Sequence, residues 1–174
     1  MSDYVSRRHL VLLRSAMAEP SGEGDRERQL AHRGRQDATR AGRWLAGAGI
    51  TPDAALCSPA TRARDTWGLA APELARRPRT THDERLYNAE PEELFTVLRE
   101  IPDDVGNALL IGHNPGTHAL ADALTGEAAG DLLARMNRSG FPPGAIAVLT
   151  FYGSWDNIER GRSSLDAFWH PQPT

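Results

Sequence analysis

Hydrophobic and polar positions change period repeatedly along the chain, and the changes mark a succession of strands and helices. Leu10-Val11-Leu12-Leu13 is a run of four apolar residues between polar neighbours, the pattern of a short strand buried on both faces in the middle of a largely parallel sheet. Residues 16–27, with Glu19, Pro20, Ser21, Gly22, Glu23, Gly24 and Asp25, have no period and read as a surface loop leaving the C-terminal end of that strand. From Arg33 the spacing turns helical, with Ala38, Ala41, Leu45 and Ala48 on one face and Gly47 and Gly49 as ends. After the turn Ile50-Thr51-Pro52-Asp53, Ala54 to Cys57 reads as a second strand. Ser58-Pro59 then opens a helix, serine being able to cap free N–H groups and proline being accepted in the first turn. That helix gathers Ala60, Ala63, Trp67 and Ala70 on one side.

The second half repeats the alternation. An edge strand is predicted around Arg79-Thr80-Thr81. Pro91 opens a helix whose apolar face is Leu94, Val97 and Leu98, with Glu92 and Glu93 near its positive end. Ala108-Leu109-Leu110-Ile111 copies the design of the first strand and runs into Gly112-His113-Asn114-Pro115-Gly116, a tight turn before a helix through His118, Leu120 and Leu124. Another helix is expected near residues 127–137, presenting Leu132, Leu133 and Met136, and a strand from Ala145 to about Phe151. The tail, with Trp155, Leu165, Phe168 and Trp169, reads as a final edge strand whose aromatic side chains cover the sheet. The order predicts an α/β fold: one domain over residues 1–174, a three-layer sandwich with a mostly parallel central sheet, helices on both faces and antiparallel edge strands near the C-terminus.

Composition narrows the function. At 174 residues the chain can bury roughly two-thirds of its unfolded surface without a metal or a disulfide. Its net charge of −3 and the lack of a basic run interleaved with aromatics argue against nucleic-acid binding. All twenty basic residues are arginines, which removes lysine Schiff-base chemistry and the phosphate lysine of a P-loop. Arginine still binds phosphoryl groups through its planar fork. The single cysteine, Cys57, excludes an internal disulfide and reads as a buried small hydrophobe in a reducing compartment. The apolar run after Arg7 and Arg8 is too short for a signal peptide, and nothing approaches bilayer length, so a cytoplasmic protein without membrane contact is expected. No His, Asp or Glu spacing suggests a metal site, no cofactor is called for, and nothing demands more than a monomer.

Three junctions end in groups suited to a phosphoryl anion: Arg14 and Ser15, Ser58 with Arg62, and His113 with Asn114. In a doubly wound sheet the ends of neighbouring parallel strands converge, so these distant segments can share one pocket. Arg14 and Arg62 would take non-bridging oxygens through charge-assisted bonds. Helix N-termini after Ser58 and Asn114 would add backbone donors. Taken singly, each residue could equally be a surface charge, a cap or a turn.

The ordered set Leu12-Leu13-Arg14, Arg33-Gly34 with Asp37-Ala38, Ser58 through Thr66, Leu86-Tyr87-Asn88-Ala89 and Gly112 through Gly116 resembles the histidine phosphatase superfamily, within it the small bacterial phosphohistidine phosphatases. With Phe141-Pro142 and the tryptophan-containing tail, the likeness spans nearly the whole chain. In that family an Arg-His pair ends the first strand, the histidine attacks phosphorus, and two arginines and a second histidine hold the transferred group. The resemblance matches Arg14 to the first arginine, Arg62 to the second and His113 to the second histidine, and puts Ser15 where the nucleophilic histidine stands.

Ser15 changes the chemistry. A neutral imidazole, with a reference pKa near 6.5, offers a lone pair, whereas a serine hydroxyl needs a base to remove its proton. It would also form a phosphate ester in place of a labile phosphorus–nitrogen bond. His9 stands at the other end of the strand, on the order of 20 Å away at about 3.3 Å per residue, and reads as a strand-start residue. His118 reads as structural. His113 could serve as base for Ser15 or for water. Glu84 is the expected general acid, with Asp83 as an alternative, and Arg28 in the long loop is a further phosphate contact. Two functions follow: a phosphohistidine phosphatase-like enzyme with a residual or altered mechanism, or a noncatalytic module recognising phosphate or a phosphorylated protein such as a phosphohistidine-bearing domain. A serine introduced deliberately to silence an enzyme would leave the same anion cradle.

Overall fold

Leu10 and Leu12 turn into one hydrophobic core while Val11 and Leu13 turn into another, because successive side chains of a strand point to opposite faces and here both faces are covered. They belong to β1 (Arg7–Arg14). The same division holds in β4 (Asn107–Gly112), where Ala108 and Leu110 face the first core and Leu109 and Ile111 the second. The computed structural model describes residues 6–173.

One face of the sheet is covered by α1 (His32–Gly47) and α2 (Thr61–Ala70), with Ala41, Leu45, Ala63, Trp67 and Ala70 in its core. The other carries α3 (Pro91–Arg99), α4 (Gly116–Leu124) and α5 (Leu132–Ser139), with Leu94, Phe95, Leu98, Leu120 and Met136. With β2 (Ala54–Cys57), β3 (Arg79–His82), β5 (Thr125–Ala128), β6 (Ile146–Tyr152) and β7 (Ser163–Trp169), the strand order is β3-β2-β4-β1-β6-β7-β5. All described neighbours pair parallel except at β6, which runs antiparallel to both β1 and β7. The result is the three-layer α/β sandwich with a mostly parallel sheet.

Three local expectations change. The reversed strand near the C-terminus lies inside the sheet, and the tail strand β7 is not the edge, because β5 pairs along its outer side. That pairing splits the helix expected over residues 127–137: Glu127 and Ala128 join the sheet, while Leu132, Leu133 and Met136 stay on α5. The unpaired backbone edge of β7 decides this, a tertiary demand that side-chain periodicity does not carry. Lastly, α2 begins at Thr61 with Ala60 as its N-cap, so Ser58 is not the cap and its hydroxyl is available elsewhere.

β1, β2 and β4 are adjacent and parallel, so Arg14, Cys57 and Gly112 end on one edge of the sheet. Every candidate residue on those strand ends therefore faces one crevice. Among the described residues, no helix is long and apolar enough to cross a membrane, and no group of three potential metal ligands comes together. Cys57 is buried, which pushes its thiol up to about 12.

Candidate functional site

His113 is the first residue past β4 and is held from both sides. Its Nε2 lies 2.7 Å from the Ser58 hydroxyl, one residue past β2, and its Nδ1 lies 3.3 Å from the Ser15 hydroxyl, one residue past β1. Three strand ends thus meet in one chain, Ser15–His113–Ser58. Ser58 also accepts the Ala60 N–H at 3.3 Å. Ser15 is buried, and its N–H donates to the Gly112 carbonyl at 2.9 Å, which locks the end of β1 against the end of β4.

The cations close around this chain. Arg62, on the first turn of α2, is 8 % exposed, and its charge is the second cause, after burial, of the low pKa of His113. Arg14 and Arg28 push in the same direction and Asp25 in the opposite one; the net effect lowers the imidazole to about 4. His113 is therefore neutral at pH 7, with a lone pair free on one nitrogen. Arg14 is itself lowered, by burial first and by Arg62 second. Like charges brought this close, and partly desolvated, gain from an anion between them.

Backbone groups aim these side chains. Arg14 Nη1 donates to the Phe141 carbonyl at 2.9 Å, and Asn114 Nδ2 donates to the same oxygen at 2.9 Å and to the Gly140 carbonyl at 3.1 Å. Phe141 is a buried non-glycine residue at φ 55°, a left-handed conformation that side chains rarely adopt; it sits where its carbonyl meets both Arg14 and Asn114. Thr66, fully buried on α2, accepts the Ala16 N–H at 2.9 Å and donates to the Arg62 carbonyl at 2.7 Å, coupling the segment after β1 to the turn that carries Arg62. Two glycines of the sequence motifs are required by close approach: a Cβ on Gly34 would fall 2.0 Å from the Met17 carbonyl oxygen, and one on Gly116 2.5 Å from that of Ala89.

The glycine-rich loop after β1 lies over the crevice rather than away from it. Its backbone is pinned by Thr61 N–H to the Arg26 carbonyl at 3.0 Å and by Glu19 N–H to the Gln29 carbonyl at 2.8 Å. Asp25 stands at its tip in front of the cations. Arg62 donates to the Asp25 carbonyl oxygen at 2.8 Å and approaches its carboxylate at 3.4 Å; Arg28 Nε donates to the same carboxylate at 3.1 Å. Tyr87 donates its hydroxyl to Asp25 in a short hydrogen bond, the largest cause of a carboxyl held below its ordinary range. Tyr87 also packs edge-on against the His113 ring, with centroids 5.7 Å apart.

The expected residues thus divide. Arg14, Ser15, Ser58, Arg62 and His113 share one locus; Asn114 supports it through the Phe141 carbonyl, and Arg28 reaches it through Asp25. Glu84 does not present itself as an acid. Arg26 grips its carboxylate at two points, 2.6 and 2.7 Å, on the exposed surface, which lowers its pKa and favours the deprotonated form. Asp83 is likewise tied to Arg85 and lowered. The helix N-termini offer less than their position promised, since Thr61 N–H serves the Arg26 carbonyl, and Thr117 and His118 N–H serve the His113 carbonyl and Asn114 Oδ1. His9 lies away from the site, against Thr150 at 3.1 Å, and His118 contacts Asn137 at 2.8 Å. Asp25, Thr66 and Tyr87 were given no role from sequence. Thr66 and Tyr87 stand within family-like stretches and Asp25 between glycine and arginine, but no spacing rule singles out any of the three.

A family profile described as the histidine phosphatase superfamily (branch 1) matches residues 10–140. An uncharacterized protein of Mycobacterium tuberculosis is 38% identical over 159 residues, covering 89% of this chain and 96% of that protein. The structure of the protein assigned as phosphohistidine phosphatase SixA in Nakamurella multipartitia superposes with a TM-score of 0.84 at 27% identity, over 95% of this chain and 97% of the other. Its counterpart assigned in Agrobacterium tumefaciens gives 0.79 at 28% identity, over 94% and 98%.

Proposed function

Since the chain belongs to the histidine phosphatase superfamily, we propose that it is a phosphohistidine phosphatase-like protein whose crevice takes up the phosphoryl group of a phosphorylated protein. The observation that carries this reading is the meeting of Arg14, Arg62 and the neutral His113 beside the Ser15 hydroxyl. Two planar guanidinium groups supply charge-assisted donors to non-bridging oxygens. The imidazole and the serine hydroxyl complete a polar wall around a tetrahedral anion. Arg28 adds a third cation once Asp25 gives way. The likeness to the SixA structures supports a phosphohistidine as the group bound.

Binding is the stronger half of the reading. Ser15 in place of an imidazole leaves an attacking hydroxyl whose proton must first be removed, and a base of pKa about 4 is a weak one at neutral pH. A second reading, slow turnover, is favoured by the 3.3 Å contact between Ser15 and His113, which supplies a hydroxyl with a base. Calorimetric titration with inorganic phosphate and with a phosphohistidine-bearing domain tests the first, and release of phosphate from that domain tests the second. Binding abolished by Arg14→Ala together with Arg62→Ala is the expected result. No phosphate-dependent binding in the unaltered protein would end the proposal.

A further inference from the structure

Ser15 is arranged as an acceptor as well as a wall. Its Oγ hydrogen-bonds Nδ1 of His113 at 3.3 Å in a part-buried contact, and the opposite nitrogen of that ring is fixed by Ser58 at 2.7 Å. A hydroxyl, a base within reach of it and a third group that orients the base form the arrangement expected of an activated nucleophile. With the ring hydrogen on Nε2 and donated to Ser58, Nδ1 turns its lone pair to the Ser15 proton. Arg14 and Arg62 stand where they can neutralise the oxygens of an incoming phosphoryl group.

We infer that Ser15 is a phosphorylation site, which accepts the phosphoryl group of a phosphoimidazole or related phosphoramidate and keeps it as a stable phosphate monoester, so that the protein acts as a single-use phosphoryl sink. The inference rests on the crevice binding phosphoryl groups as proposed above. In the transfer, Ser15 Oγ forms the new bond to phosphorus as the phosphorus–nitrogen bond breaks. The electron pair of that bond stays on the departing imidazole, which is protonated on its other ring nitrogen and leaves neutral. The hydroxyl proton passes to His113 Nδ1 and from there to solvent. The products are the Ser15 monoester and the free imidazole.

The site is built to stop at that point. Spontaneous hydrolysis of phosphate monoesters is among the slowest reactions known in water, so removal needs a catalyst. In-line attack brings water to the face of phosphorus opposite Ser15 Oγ, whereas His113 lies within hydrogen-bond distance of Oγ itself and so on the leaving-group side. There it could act only as an acid towards the departing Oγ, and its one ring hydrogen is turned away to Ser58, so no base stands where it could activate the attacking water. Asp25, the carboxylate nearest the cations, is engaged by Arg62, Arg28 and Tyr87. Transfer from nitrogen to oxygen runs downhill, because the phosphoramidate bond has the higher transfer potential.

Incubation of the full-length protein with potassium phosphoramidate, followed by intact-mass measurement, tests the inference. The expected outcome is one added HPO3 unit per chain, mapped to Ser15 by fragmentation, persisting in acid that destroys phosphohistidine, and absent from Ser15→Ala. Ser58→Ala, which frees the His113 ring, should slow the labelling severalfold without lowering its final level. Calorimetry with inorganic phosphate on the same samples separates the two proposals. Phosphate binding without an adduct, an acid-labile adduct on His113, or phosphate released over many turnovers with no label retained would each overturn the sink and leave the binding reading standing. Loss of phosphate binding as well would overturn both.

Discussion

Asp25 and Arg62 hold one another through main chain and side chain together, the guanidinium donating to the Asp25 carbonyl at 2.8 Å and lying 3.4 Å from its carboxylate. The crevice that gathers cations is thus faced by an anion of its own, carried on a loop pinned at Thr61. A phosphoryl group and Asp25 compete for the same guanidinium faces. Asp25→Asn keeps the shape and the main-chain contact but removes the charge. Because this carboxylate is half-exposed and screened, its competition is worth roughly 0.5–1 kcal/mol, or about a two- to fivefold tightening of phosphate binding when it is gone. Calorimetry at low and high salt reads this directly: the gain should shrink as salt rises, and unchanged or weaker binding would show that Asp25 does not oppose the ligand.

The imidazole of His113 gives the protein a pH dependence of fixed sign. Its pKa is about 4 in the folded chain and near 6.5 once unfolded, so the unfolded state takes up the proton first. Stability is whole above pH 6.5, falls as pH drops from there towards 4, and levels off below, a loss on the order of 2–3 kcal/mol for a group this buried. Urea midpoints between pH 7 and pH 4.5 should fall further for the unaltered protein than for His113→Gln, the difference isolating this group from the carboxylates. Saturating phosphate, which places negative charge beside the ring, should narrow the gap by raising the imidazole pKa.

How much of this was legible in the sequence depended on whether local or distant groups made the decision. Leu10 to Leu13 and Ala108 to Ile111 announce buried strands because covering both faces leaves no polar alternation, and both are strands. Adjacent parallel strands then bring Arg14, Ser58 and His113 to one edge by topology alone. Contacts across the loop were not legible. Nothing in the spacing of Gly24-Asp25-Arg26 says that the aspartate turns inward to Arg62, or that Arg26 rather than solvent takes Glu84. Glu84 was the natural acid by position, and a partner 58 residues away in the chain removed it from that role. In the same way the free edge of β7 drew Glu127 and Ala128 out of a helical pattern.

Thr66 links the two halves of the site without facing a ligand. Thr66→Val keeps its shape but leaves the buried Ala16 N–H without its acceptor, and an orphaned buried donor costs about 1–3 kcal/mol. The expected result is an unfolding free energy in urea lower by that amount together with weaker phosphate binding, because the segment after Ser15 and the turn bearing Arg62 lose their common anchor. Thr66→Ser, which restores the hydroxyl, should recover the binding. A destabilised Thr66→Val protein that binds phosphate as tightly as before would reduce Thr66 to a structural role.

Ser15→His asks whether only the attacking atom separates this crevice from a turning-over phosphatase. Arg14, Arg62 and His113 are already convergent, and the segment ending β1 is fixed by Ser15 N–H to the Gly112 carbonyl, a main-chain bond that the substitution leaves in place. An imidazole there would attack phosphorus without first losing a proton, and the intermediate it forms carries a labile phosphorus–nitrogen bond that water can clear. Phosphate release from potassium phosphoramidate should rise on the order of 10²-fold over the unaltered protein, the low end of the base catalysis that the serine needs and an imidazole nucleophile is spared. Ser15→Asn, of similar reach but with no basic nitrogen, should show no gain and marks the effect of bulk alone. If Ser15→His binds phosphate normally and still releases none, the guanidinium groups hold the anion at an angle that in-line attack from the end of β1 cannot use, and the site is a receptor by geometry.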